Sequence, residues 1–456
     1  MNASNIEVEI KKIKESDKYD GTYPIYYKGE TRNEKVYEIP TSLLRFNYLN
    51  GRIGTEVIEF TQVNGTNLSK LSVDEVNEKI HKWIWEKTES DNKKTLKDIR
   101  DKKQIIPGVI TRDGIIVDGN RRFMIARELN KEGLNRQFRA IILDDTYSDG
   151  GEKEYQIKRL EAEIQMGQDE KVSYGAIEPY IRVMDFVDNF IEVTSARMKY
   201  EELCTIMKIQ NVNKVKTMYR IGKLMLEYLD YIGFDKMWSR LENTEDLFIK
   251  LENIHKLYSD GKGVAGWDID NDDIENYKTY GFDLIRWNYN ADPRQKGNWD
   301  SKKIRERYFK NSKDKAIFSN HKIWSDFIEN LESIEDIEVP DLEEVVKKDC
   351  LSHADAAKKI DKIWAEKASN AFKSALGIAD SKLRDKENDD KPEQFLRDAL
   401  DKLLNLIDED LFESTGKTEI NQKLLLILQD ENRIETNYKY IDKIRKIAET
   451  LKRDLK

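Results

Sequence analysis

Two adjacent arginines, Arg121 and Arg122, follow an Asp118-Gly119-Asn120 turn at the end of an apolar run, Gly114 to Val117. Guanidinium groups placed in this way suit phosphate or carboxylate oxygens, because each offers a planar fork of N–H donors for bidentate contact. The spacing predicts a short buried strand over Gly114 to Val117 and a turn at Asp118-Gly119. It then predicts a helix with Asn120 as its N-cap and Phe123, Ala126 and Leu129 on one face. Both arginines then sit in the first helical turn, where unpaired backbone N–H groups and the positive end of the helix dipole already favour an anion. The same residues also admit a purely structural arrangement, with Asp118 paired to one of the arginines.

The order Asp118-Gly119-Asn120-Arg121-Arg122, with the small residue Ala126 in the middle of the helix, resembles the signature of the ParB and sulfiredoxin superfamily. The resemblance extends over about residues 35 to 235. Upstream, Tyr37-Glu-Ile-Pro40-Thr-Ser-Leu-Leu-Arg45 is similar to the family's first segment, in which a strand leads through a proline to an arginine near the nucleotide; Gly51-Arg52-Ile53 follows. Downstream, Gln137 to Leu143 alternates as a strand, and Leu160 to Tyr180 follows the outline of the segment after the sheet. There the chain departs from the family: Ala162-Glu163-Ile164-Gln165-Met166 places Met where an arginine is usual and displaces the acidic residue. The resemblance implies a nucleoside triphosphate, CTP or ATP, bound with Mg2+ through Arg45, Gly119, Asn120, Arg121 and Arg122. Asp118 and Glu163 are then the candidate catalytic carboxylates.

A second motif lies between Tyr200 and Met225. Leu203, Cys204, Ile206 and Met207, a polar turn, and then Val212, Val215, Tyr219 and Leu224 have helix-turn-helix spacing. Cys204 occupies the small, buried position, and Lys208 or Gln210 stands where the turn usually has glycine. From Leu203 to Leu226 the chain carries Lys208, Lys214, Lys216, Arg220 and Lys223 and no acidic residue, although the whole protein has a net charge of -9. An acid-free basic helix in an acidic protein is a candidate contact to a DNA phosphate backbone.

Composition bounds the rest. A chain of 456 residues, 39% hydrophobic and with eight Trp and 21 Tyr, has material for two or three domains with substantial cores. It has no apolar run long enough to span a bilayer and no basic-then-apolar leader, so a cytoplasmic location and no membrane partner are expected. Two cysteines, Cys204 and Cys350, and four scattered histidines give neither a disulfide framework nor metal-ligand spacing, and no metal centre is expected. Asp268 to Asp273 superficially resembles a calcium loop, but Asp273 stands at the sixth position and Thr279 at the twelfth, where Gly and Glu are required.

The elements that must hold these groups follow from changes of period. Alternating segments at Ile6 to Ile13, Pro24 to Lys28 and Lys35 to Ile39 predict sheet strands, Val73 to Thr88 a helix, and Lys93 to Lys103 a connector before a strand pair around Arg112-Asp113-Gly114. The expected architecture is α+β: a ParB/sulfiredoxin-like domain over 1–150 and a helix-turn-helix domain over 151–240. An irregular helical linker region over 241–340 and a helical bundle over 341–456 complete it. Polar breaks are expected at Asp385 to Pro392 and Ser414 to Thr418. Leu396 to Ile407, Leu424 to Leu428 and Ile441 to Leu451 form apolar stripes that bury against one another or against a second subunit or partner protein.

These readings lead to a DNA-associated protein that binds and hydrolyses a nucleotide to control DNA contact, in DNA maintenance or phage defence. Two alternatives stand beside it. One is a ParB-like nuclease whose acidic residues, such as Asp118, Glu161 and Glu163, hold divalent ions; the other is a non-enzymatic DNA-binding regulator. Sulfiredoxin chemistry is set aside because position 120 is Asn where that reaction needs Cys.

Overall fold

A computed structural model describes residues 3–48, 56–57, 60–61, 68–87, 89–167, 176–193, 197–313 and 315–404, with 442, 445, 446, 449 and 453. It is a mixed α+β structure, with a small curled sheet followed by a mainly helical remainder. The five strands are β1 (Thr22–Tyr27), β2 (Glu30–Ile39), β3 (Gly108–Ile110), β4 (Ile116–Asp118) and β5 (Phe138–Ile142), in the order β1-β2-β5-β3-β4. β1 and β2 form a hairpin whose two-residue turn, Lys28-Gly29, has φ of 53° and 85°. Two left-handed residues match the twist of the flanking strands, so this register is fixed by the turn. β5 runs antiparallel to β2 and parallel to β3, and β3 runs antiparallel to β4.

Helices cover both faces of the sheet. One face, with Tyr37, Ile39, Ile110, Ile116 and Phe138, packs against α1 (Ala3–Glu15), α2 (Val73–Lys87), α3 (Glu89–Lys102) and α4 (Asn120–Lys131). The other, with Ile25, Val36, Val109, Val117 and Ile141, receives Ile157 and Leu160 of α5 (Gly151–Gly167). The strands at Pro24 to Lys28, Lys35 to Ile39 and Gln137 to Leu143 form as the alternation predicts. Ile6 to Ile13 does not: it is helical. Ile6, Val8 and Ile10 mimic a strand, but Ile6 and Ile10 are four apart and fully buried whereas Val8 is 52% exposed, so the helical period wins. Lys93 to Lys102 is likewise helix rather than connector, because Asn92 and Ile99 are spaced to bury one face.

After α5 come α6 (Glu178–Phe186), extended by a wider turn through Ile191, then α7 (Tyr200–Ile206) and α8 (Val212–Tyr231). Beyond them lie α9 (Glu245–Ser259), α10 (Asn271–Asn290), α11 (Ser301–Arg307), α12 (His321–Glu329), α13 (Leu342–Asp349) and α14 (His353–Leu404). One hydrophobic cluster runs from Ile177 to Leu383, across the boundaries expected at 240 and 340. The stretch read as irregular contains α10, whose Tyr277, Leu284, Ile285 and Trp287 are fully buried. Its glycines and charged residues obscured the period, and the Asp run that resembled a calcium loop is its capping box: Asp270 accepts from the Asp273 N–H, and Asp273 accepts from that of Asp270. α14 continues through Asp385 to Pro392, where a break was expected; the flanking residues are good helix formers, and an internal proline removes one backbone hydrogen bond without necessarily ending the helix. The stripes at Leu424 to Leu428 and Ile441 to Leu451, the break at Ser414 to Thr418 and Gly51-Arg52-Ile53 lie wholly or largely outside the described residues.

The helical core holds charge as well as apolar surface. Asp361, 1% exposed, accepts from Arg240 Nε at 3.0 Å and Nη2 at 2.7 Å, and from Arg286 Nε at 2.9 Å. Nearby Asp283 accepts from the Tyr231 hydroxyl, and burial pushes its carboxyl up to about 7.

Two stability outcomes follow from these groups. Asp361→Asn leaves two buried guanidinium groups undercompensated and should cost about 3–5 kcal/mol in urea unfolding, whereas Glu15→Gln, at an exposed pair with Lys11, should cost less than about 0.5 kcal/mol. Asp283 binds its proton more tightly folded than unfolded, where its carboxyl titrates near about 3.9. Its contribution is therefore fully present below pH 4 and is lost as pH rises to 7, lowering stability by about 2–4 kcal/mol across that window. Asp283→Asn should flatten that part of the stability–pH curve; an unchanged slope would assign the dependence to another group.

Candidate functional site: the Asp118–Arg122 turn

β4 ends at Asp118, and the chain passes through Gly119 with φ 105° and ψ 19° directly into α4. Gly119, not Asn120, is therefore the N-cap residue, and Asn120 is the first residue inside the helix. The left-handed conformation at Gly119 and the close neighbours of its missing side chain account for the change: a Cβ there would stand 2.9 Å from Phe138 Cζ and 3.2 Å from Arg122 Nη2. Glycine supplies no capping side chain, so the first turn of α4 carries no side-chain cap. Asn120 Oδ1 is buried beside it without a hydrogen-bond partner.

The candidate residues are not equally available. Arg122 donates to the Asp118 carboxylate one turn away, with both side chains less than one-fifth exposed. The structural pairing open in the sequence is thus formed. Arg121 lies in the same first turn and is half-buried. Arg45 bridges in parallel to Ile115, and its Nη2 donates to both the backbone oxygen and the carboxylate of Asp113 at 2.7 Å. It therefore braces the β3–β4 turn, whose Gly114 at φ 83° has no room for a Cβ because the Leu43 carbonyl oxygen would be 2.4 Å away.

Of the two candidate catalytic carboxylates, Glu163 accepts from Arg159 Nε at 3.0 Å on α5, and it shares a cleft of about 260 Å³ with Asp118. The cleft is walled largely by Tyr23, Pro24, Ile25, Tyr26, Pro107 and Ile164. Glu161 takes a different direction: it is buried and accepts from Asn47 Nδ2 at 3.2 Å and from the Tyr147 hydroxyl at 3.1 Å. Burial, reinforced by Glu161, holds the Tyr147 hydroxyl well above its ordinary range, so it remains a donor. Among the described residues no group of three or more His, Cys, Asp or Glu is placed to hold a metal ion. Asn47 and Tyr147 carry no local signal, because their partners lie 14 to 114 positions away, and the partnership of Asp113 with Arg45 spans 68 positions.

The helix-turn-helix spacing corresponds to α7 and α8, with Leu203, Ile206 and Val215 buried between them and Cys204 half-buried. Burial raises the Cys204 thiol above its ordinary range, which fits a packing role. Lys208 takes the glycine position, at φ 51°. The basic face of α8 is partly compensated. Arg220 pairs with Glu252, Lys223 Nζ lies 2.8 Å from Asp188, and Lys216 sits over the Tyr200 ring at 5.0 Å. Lys208 and Lys214 are exposed on the turn and the first turn of α8.

Compared with protein-family models, curated proteins and solved structures, the chain matches none of them. No helix among the described residues is long and apolar enough to cross a membrane.

Gly119→Ala should lower stability by about 1–2 kcal/mol from the left-handed φ alone, with the Phe138 contact adding to it. Thermal unfolding reads this directly, and an unchanged midpoint would mean that the turn relaxes to another conformation.

Proposed function

We propose that the Asp118–Arg122 turn binds the phosphates of a nucleoside triphosphate, CTP or ATP, with Mg2+, and that its hydrolysis to the diphosphate and phosphate controls contact with DNA. The observation that carries this reading is the direct passage from β4 through left-handed Gly119 into an uncapped helix bearing Arg121 and Arg122. Backbone donors, helix dipole and guanidinium forks converge at one point. Arg122 already holds an anion, the Asp118 carboxylate. An incoming phosphate would compete for the same fork and free Asp118 to take part in holding Mg2+ or orienting water.

The link to DNA rests on α5. Its Ile157 and Leu160 pack on the sheet face that carries Val117, next to Asp118, while its Tyr155 and Ala162 pack with Leu203 and Val215 of the helix pair. A displacement at β4 therefore meets the helix pair through one rigid element. A ParB-like nuclease finds support in the cleft shared by Asp118 and Glu163, but each of these carboxylates is engaged by an arginine and Glu161 belongs to another network.

Calorimetric titration with CTP, ATP, GTP and UTP in Mg2+ tests the proposal. Saturable binding of one nucleotide should weaken on the order of 100-fold in Arg121→Ala. It should tighten at low Mg2+ in Asp118→Asn, which removes the competitor for Arg122. Absence of binding by the wild-type protein, or equal affinity in all three proteins, would remove the phosphate site.

A further inference from the structure

A second concentration of positive charge lies away from the α7–α8 pair. Between Lys302 and Lys315 the chain carries seven Lys and Arg residues against Glu306 and Asp314, a denser run than that of α8. α11 brings its part of this run against α14, where three cations converge on one carboxylate. Asp380 lies 3.4 Å from Lys303 Nζ, 2.7 Å from Arg307 Nε and 3.0 Å from Arg384 Nη2. The Asp380 side chain is only 9% exposed, whereas that of Arg384 is 59% exposed. One mostly buried negative charge thus organises three positive ones and leaves an excess at the surface.

The surroundings add to that excess. Lys302, Lys313 and Lys315 are exposed and Lys310 is half-buried, and none of the four makes an ion pair among the described residues. Arg307 Nη1 reaches the Lys315 carbonyl oxygen at 3.4 Å, and its own carbonyl oxygen accepts from the Ile317 N–H at 2.9 Å, which folds the loop after α11 back onto the helix. The apolar residues of the segment, Ile304, Tyr308 and Phe309, are all buried in the core. The cations consequently stand on a fixed backbone, and the segment presents no apolar side chain for insertion into a bilayer.

We infer that this surface, formed by α11, the loop to Lys315 and the Asp380–Arg384 turn of α14, contacts the phosphate backbone of duplex DNA. A duplex offers closely and regularly spaced negative charges, and binding them releases condensed counterions. In a protein of net charge -9, such contact is confined to places where cations outnumber their local partners. Here Arg305 is held by Asp246 and Lys303, Arg307 and Arg384 share Asp380, which leaves four lysines with no ion pair among the described residues, whereas on α8 Glu252 and Asp188 engage Arg220 and Lys223. The inference rests on the DNA-association half of the function proposed above and is independent of its nucleotide half.

The test is fluorescence anisotropy of a labelled duplex of mixed sequence, titrated with full-length protein over a series of salt concentrations. The quadruple variant Lys302→Ala, Lys310→Ala, Lys313→Ala and Lys315→Ala removes only lysines that make no ion pair among the described residues, and an unchanged unfolding midpoint shows that the fold is intact. Its affinity should fall on the order of 100-fold at low salt, with the salt slope reduced by roughly 3. The matching four Lys→Arg substitutions should retain binding. Lys214→Ala with Lys216→Ala should reduce the slope by less than about 1. Wild-type binding that survives in the quadruple variant and is lost in the α8 variant would overturn this assignment alone. A wild-type protein that binds no duplex, or binds anionic phospholipid vesicles in its place, would overturn both this assignment and the DNA-association reading.

Discussion

The double burial of the helix Gly151–Gly167 is the constraint on which the rest of the molecule turns. A helix can hide only the stripes that its period provides, and this one uses two: Ile157 and Leu160 toward the sheet, Tyr155 and Ala162 toward the helix pair. Several of its other positions hold charge, among them Arg159 and Glu163, bonded one turn apart, with Glu163 lining the Asp118 cleft. Moving either stripe by one residue would bring polar groups against one core and expose the other. Sheet, cleft and helix pair are thus held in a single arrangement.

Within that frame, charge is handled by pairing across long stretches of sequence. Arg122 and Asp118 neutralise each other beside an uncapped helix start, and Arg45 closes the turn that presents them by bonding to Asp113. The helical half uses the same device at greater depth, with Asp361 between Arg240 and Arg286, and Arg286 also lying over the Trp364 ring at 4.5 Å. Pairs so deep are expensive to break rather than strongly stabilising when formed, so their effect is to fix which helices meet. At Asp380 the pairing is unequal, with three cations meeting one mostly buried carboxylate.

Much of the sheet region was legible in the sequence because its signals are local. Alternation locates Pro24 to Lys28 and Lys35 to Ile39, and glycine at 119 marks a turn that no other residue fits easily. The helix-turn-helix spacing was legible for the same reason, including Lys208 in the position usually taken by glycine. Local pattern misled where two periods coincide, as at Ile6, Val8 and Ile10, and where turn-like residues precede a buried helix, as at Asp268 to Asp273.

The sequence by itself determined the strand-turn-helix that places Arg121 and Arg122 in a first helical turn, because glycine geometry and apolar period act over a few residues. It also determined that the chain is acidic overall with basic segments. Tertiary structure alone decided which charges remain available. Arg122 is held by Asp118, four residues away, but Arg45 is held by Asp113, Arg220 by Glu252 and Arg307 by Asp380, each across 32 or more positions. Coulomb attraction and desolvation depend on distance in space, and no periodicity in the chain encodes which distant carboxylate a cation will meet.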